Sequence, residues 1–131
     1  MARQSVHHME WMKSVFVALA LSVPVPTCAE TVLWMAEEQG CFWCARWNEE
    51  IAHIYPKTEE GRAAPLKRYD IHATRPENVV LERPVHFTPT FILVHDGAEV
   101  GRIEGYPGED FFWGLLGQLL QRADKVRNDA E

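Results

Sequence analysis

The chain has little cysteine, and what is missing around it narrows the chemistry. Cys41 and Cys44 form one close pair, and Cys28 stands alone. A structural zinc site wants four ligands and usually a second close pair. No second pair exists. His7, His8, His53, His72, His86 and His95 are not spaced like the ligands of a zinc finger. Covalent haem attachment needs histidine directly after the second cysteine, and Ala45 occupies that position. Positive charge is also scarce. Against 19 Asp and Glu stand 13 Lys and Arg, for a net charge of −6 and a pI near 5.5. No basic patch offers a surface for nucleic acid. Beyond the N-terminal region no apolar run is long enough to span a bilayer, so the body of the chain is expected to be soluble.

The composition that remains suits one packed domain: 47% of the 131 residues are hydrophobic and 11% are aromatic. Residues 1–29 read as an export signal. Arg3 and Lys13 supply the positive lead, Ser14 to Pro26 a short apolar core, and Thr27-Cys28-Ala29 small residues at the cleavage position. Cleavage there removes the odd cysteine. Retention as an anchor, or lipidation of Cys28, is the weaker reading. The domain then covers 30–131, and its location is expected to be the periplasm.

Thr31 to Ala36 is a short apolar run with β-branched and aromatic residues, expected as a buried strand. After the polar turn Glu37-Glu38-Gln39-Gly40 a helix is expected from Cys41 to Tyr55. Its inward stripe is Cys44, Trp47, Ile51 and Ile54. Lys57 to Ala64 suggests a second short helix, and Pro65 to His72 a second strand. Pro76 to Leu81 suggests at least one helical turn. His86 to Val94 reads as an apolar strand containing Pro89. Asp96-Gly97 signals a hairpin, with the return strand over Glu99 to Glu104. A last helix over Asp110 to Leu120 turns Phe112, Leu115, Leu116, Leu119 and Leu120 inward, and the charged tail after Arg122 is expected to fray. The first two strands, joined by a crossover, should pair in parallel, giving an α/β mixed sheet flanked by helices.

Two cysteines three apart at a helix start can close a disulfide and reopen it. Unpaired N–H groups and the helix dipole favour a thiolate at the first of them. Cys41 is therefore the expected exposed attacker and Cys44 the buried resolver. A purely structural disulfide is the competing reading, although so small a loop restrains the unfolded chain little. Phe42 and Trp43 are either an apolar rim for a partner or ordinary helix packing.

Cys41-Phe42-Trp43-Cys44 after a strand, with Thr88-Pro89-Thr90-Phe91 ahead of a hairpin and a closing helix, resembles the thioredoxin superfamily over roughly residues 30–122. That resemblance implies a thioredoxin-like fold and a cis proline at Pro89 beside the disulfide. It implies catalysis by Cys41 and Cys44, and partner binding by Phe42, Trp43, Thr88 and Pro89. No cofactor beyond the Cys41–Cys44 disulfide is expected, and no metal. With the export signal, the stretches Gly-Cys-Phe-Trp-Cys-Ala-Arg-Trp and Gly-Tyr-Pro-Gly-Glu-Asp-Phe-Phe-Trp look most like the SoxS branch, the periplasmic thioredoxins of bacterial sulfur-oxidation (Sox) operons. The branch implies a reductase that keeps a sulfur-carrier protein, SoxY of SoxYZ, active. A membrane thiol transporter of the CcdA/SoxV kind would recharge it.

The sequence departs from ordinary thioredoxin in several places. Phe-Trp replaces Gly-Pro between the cysteines. The turn before Cys41 is longer, so the family's buried acid falls near Leu33. Glu37 or Glu38 is a candidate proton acceptor for Cys44, with a surface carboxylate the favoured reading. Phe87 replaces a small residue before Thr-Pro. A disulfide-forming oxidase, or a thioredoxin-fold binding protein or chaperone with a structural disulfide, is the alternative function. The sequence carries no signal for oligomeric state, and a monomer is the simple expectation.

Overall fold

The computed structural model describes residues 29–131. The expected export signal lies outside the described residues, apart from Ala29. Four strands, β1 (Thr31–Glu37), β2 (Leu66–Asp70), β3 (Thr90–His95) and β4 (Ala98–Glu104), form one sheet in the order β2-β1-β3-β4. β1 and β2 pair in parallel, and the other neighbours are antiparallel. This is the mixed sheet flanked by helices that the sequence predicts. Among the described residues no helix is long and apolar enough to cross a membrane.

Alternation along the strands divides the sheet into two faces. Leu33, Met35, Phe91, Leu93 and Ile103 point to one face and are almost wholly buried there. Three helical segments cover it: α1 (Phe42–Trp47), a π-helical turn over Asn48–Ala52 that continues α1, and α3 (Glu109–Asp129). Trp47 is the hub, with ring centroids 5.1 Å from Phe91, 5.7 Å from Phe112 and 6.2 Å from Tyr55. Phe112 meets Trp47 edge-to-face and the other two rings are tilted to it, and the edge-to-face contact adds to the area that the rings bury.

The long helix expected over 41–55 is therefore broken into pieces. The π turn widens the spiral, and Tyr55 rather than Ile54 takes the next buried place after Ile51. A 3-10 turn (Tyr55–Lys57) and α2 (Glu59–Ala63) follow, with Thr58 Oγ1 accepting from the Gly61 N–H at 3.0 Å. The Tyr55 hydroxyl donates to the Ala64 carbonyl at 2.7 Å and ties the two pieces together. A side chain at Gly61 would collide with the Tyr55 carbonyl, so glycine is required by close approach.

Three other expectations are corrected. α3 does not fray after Arg122 but runs to Asp129, because Ala123 extends the buried stripe of Phe112, Leu116 and Leu119 by one more turn. Leu115 lies outward and is 38% exposed, since that stripe is narrower than the run of apolar residues. Pro76 to Leu81 forms turns rather than helix, with Asn78 at φ 61° and Val80 bridged to Ala98 on the outer side of β4.

The second face carries Val32, Trp34, Ile92 and Val94 and is covered by the irregular chain after β2. A bulge between Leu93 and Val94 of β3, opposite β4, sets Glu99 and Arg102 on this same face. The two form an ion pair at 2.6 Å whose side chains are 0% and 3% exposed. Arg102 also donates to the carbonyl of Arg83 at 2.9 Å, and Glu99 accepts from the Glu82 N–H at 2.9 Å.

Candidate functional site

β1, the inner strand between β2 and β3, delivers the chain to the redox pair. It ends at Glu37, and the turn through Gly40 (φ 78°) reverses the backbone in a conformation that glycine adopts without strain. The Cys41 N–H reaches back to the Glu38 carbonyl at 3.4 Å. Cys41 is then the extended residue just before α1, and its Sγ accepts the Cys44 N–H at 3.1 Å. The two sulfurs are bonded at 2.09 Å, with 5.2 Å between Cα atoms. Cys41 is half-buried, whereas Cys44 is 4% exposed within the apolar core. One sulfur faces the surface and the other is covered.

Phe42 and Trp43 do not pack inward. They are 67% and 48% exposed, with their rings edge-to-face at 5.1 Å. Phe87 is 61% exposed and lies on the loop that carries Thr88 and Pro89. The Thr88–Pro89 peptide bond is cis, and the Pro89 side chain is buried. The loop is fixed by Thr90 Oγ1 donating to the Phe87 carbonyl at 2.6 Å and by the Gly105 N–H donating to the Pro89 carbonyl at 2.7 Å.

What joins this loop to the redox turn is Glu38. Its Oε1 accepts the Thr88 hydroxyl at 2.6 Å, and its Oε2 lies 2.8 Å from His72 Nε2. The Thr88 hydrogen bond, and after it the one from His72, holds the Glu38 carboxyl below the usual carboxylate range. Sequence reasoning offered Glu38 only as a surface acid or a proton acceptor for Cys44. Its position three residues before Cys41, in the lengthened turn, was the available signal. Glu37 instead pairs with Arg68 at 2.8 Å, while Arg68 also reaches Asn48 Oδ1 at 2.8 Å and lies 5.5 Å over the Trp47 ring. These contacts brace α1 against β2. Leu33 is fully buried.

On the outer flank of α1, the Tyr106 hydroxyl donates to Glu50 Oε2 at 2.6 Å and Arg46 donates to Glu50 Oε1 at 2.8 Å. The Tyr106 bond and then Arg46 hold the Glu50 carboxyl low, while burial and that same bond push the Tyr106 hydroxyl up. Among the described residues no group of three His, Cys, Asp or Glu side chains is placed to hold a metal ion.

No family model matches the chain, and no curated protein matches it. Among solved structures it is similar to the periplasmic thioredoxin SoxS from Paracoccus pantotrophus in its reduced form. The two are 53% identical with a TM-score of 0.70, and the match covers 72% of this chain and 99% of that one.

Proposed function

The chain belongs to the thioredoxin family in its SoxS-like branch and is a thiol–disulfide oxidoreductase; from that premise we propose that it works in the periplasm as a reductase of a protein partner. Residues 1–29 are its export signal and 30–131 its working domain. Cys41 is the attacking sulfur and Cys44 the resolving one. The observation that carries this assignment is their asymmetry: Cys41 is reachable and receives a backbone N–H on its sulfur, while Cys44 is enclosed one turn further on.

In the reduced protein the Cys41 thiolate attacks a partner disulfide, persulfide or glutathione adduct. A bond forms between Cys41 Sγ and the partner sulfur as the partner's own sulfur–sulfur bond breaks, and the leaving sulfur takes up a proton. Cys44 then loses its proton and attacks Cys41 Sγ. The partner departs as a thiol, and the Cys41–Cys44 disulfide remains, two electrons poorer. A membrane thiol donor of the CcdA/SoxV kind returns them. The disulfide itself is the redox group, and no further cofactor is required.

Phe42 and Trp43 form the apolar lip on which the partner rests, with Thr88 and Pro89 across from it. The backbone N–H and C=O of Thr88 make no hydrogen bond among the described residues, which leaves them able to pair with an extended partner strand. The relative's membership of the Sox system supports a sulfur carrier of the SoxY kind as that partner. Cys44→Ser tests the assignment. It should accumulate a mixed disulfide through Cys41, seen by mass after non-reducing separation. A variant that traps nothing, while the unaltered protein reduces the same substrate, would show that the two roles are assigned wrongly.

A further inference from the structure

We infer that Glu38 is a positioning residue for partner recognition: its carboxylate ties the turn carrying Cys41 to Thr88 and holds the Thr88 backbone where a partner strand pairs. The inference rests on the reading of Cys41 as the attacking sulfur and adds to it a determinant of partner binding.

The sheet order explains why this one residue can act so. Glu38 follows directly on β1, which lies between β2 and β3. His72 stands just after β2 on one side, and Thr88 just before β3 on the other. The two carboxylate oxygens reach one neighbour each, at 2.8 Å and 2.6 Å, while the backbone carbonyl of the same residue accepts from the Cys41 N–H. A hydrogen bond from a hydroxyl to an ionised carboxylate is among the stronger kinds. Thr88 has need of it. Phe87 before it and Pro89 after it are pinned through their carbonyls, but the Thr88 backbone groups have no partner among the described residues. Among the described residues its side-chain hydroxyl is its one hydrogen-bonding tether. Glu38 thus fixes the distance between the attacking sulfur and the peptide group that would receive the partner.

A residue acting in this way should matter to an extended substrate more than to a small one. The test is made in the Cys44→Ser protein, where Cys41 forms a stable adduct. Two probes are compared: a cysteine-containing peptide held in a disulfide with glutathione, and glutathione disulfide alone. The quantity read is the ratio of the second-order rates of adduct formation, with peptide adduct counted by mass. Glu38→Ala should lower that ratio about tenfold, the loss of a charge-assisted hydrogen bond. Thr88→Val should lower it by a similar factor, and the double substitution should lower it no further, because the two side chains act as one unit. Glu38→Gln, which keeps an oxygen for the Thr88 hydroxyl but loses the charge, should fall between Glu38→Ala and the parent. A ratio unchanged by Glu38→Ala, a loss shared equally by both probes, or additive losses in the double variant would overturn the inference. A parent protein that reacts with neither probe would instead overturn the reading of Cys41, and the role of Glu38 would fall with it.

Discussion

The two faces of the sheet are closed in different ways, and the redox pair belongs to only one of them. The face that holds Cys44 is sealed by aromatic and aliphatic side chains from α1, its π turn and α3. The other face is sealed by irregular chain that follows β2, held partly by apolar residues and partly by a buried ion pair that grips the backbone at Glu82 and Arg83. The first kind of closure is non-directional and tolerates small changes of shape. The second depends on geometry at a few atoms and is costly to leave half made. A redox site that must change between disulfide and dithiol without unsettling its surroundings is built on the first kind. The irregular segment then brings Phe87, Thr88 and Pro89 around to the same end of the sheet.

The largest expected effect breaks the helical face. Phe112→Ala removes a ring that touches Trp47, Phe91, Tyr106 and Trp113 and should cost about 4 kcal/mol in denaturant unfolding. Next comes the other face. Arg102→Met leaves Glu99 buried without its partner, which should cost about 3 kcal/mol. The pair Glu99→Leu with Arg102→Met should return to within about 1 kcal/mol of the parent. A double variant as unstable as the single one would mean that the pair closes this face through its backbone contacts rather than through charge balance. Gly101→Ala probes the helical face where β4 meets α3. A Cβ there comes within 2.7 Å of the end of the Leu119 side chain, and since that end can shift, unfolding should reveal a cost of only about 1 kcal/mol.

The smallest effect is one of acidity. Burial raises the Glu99 carboxyl, but hydrogen bonds from Arg102 and the Glu82 N–H outweigh it, and its pKa is lowered from 4.5. A carboxyl depressed on folding contributes stability that is present above its unfolded value and lost as pH falls through the folded one. Below about pH 4.5 the second face should therefore loosen before the first. Hydrogen exchange checks this. The Val80 and Glu99 N–H groups, which bridge the loop to β4, should lose protection in acid while Phe91 keeps it.

The helical face was legible because burial there follows a period. Cys44, Trp47 and Ile51 are where their spacing places them. The errors arise where backbone geometry departs from a regular helix or where hydropathy is quiet. The π turn exchanges Ile54 for Tyr55, and Ala123 carries too little apolar surface to announce that α3 continues. The second face was much less legible. Residues three apart on a strand belong on opposite sides, so Glu99 and Arg102 look like two unrelated surface charges until the bulge brings them together. At the site, the cysteine pair, its two exposed aromatics and the Thr-Pro loop could all be named from the sequence. The bond between Glu38 and Thr88 could not, since the position of Glu38 in the turn before Cys41 marks it as near the site but does not tell that it meets a hydroxyl fifty residues away.

The central claim is that the Cys41–Cys44 pair gives electrons to a partner, and its equilibrium reduction potential tests this most directly. The chain lacking residues 1–29 would be titrated against glutathione, with tryptophan fluorescence as the readout. A potential near that of thioredoxin, about −270 mV, is the predicted result. A value near about −120 mV, that of a strong disulfide-forming oxidant, would reverse the direction of electron flow and contradict the account.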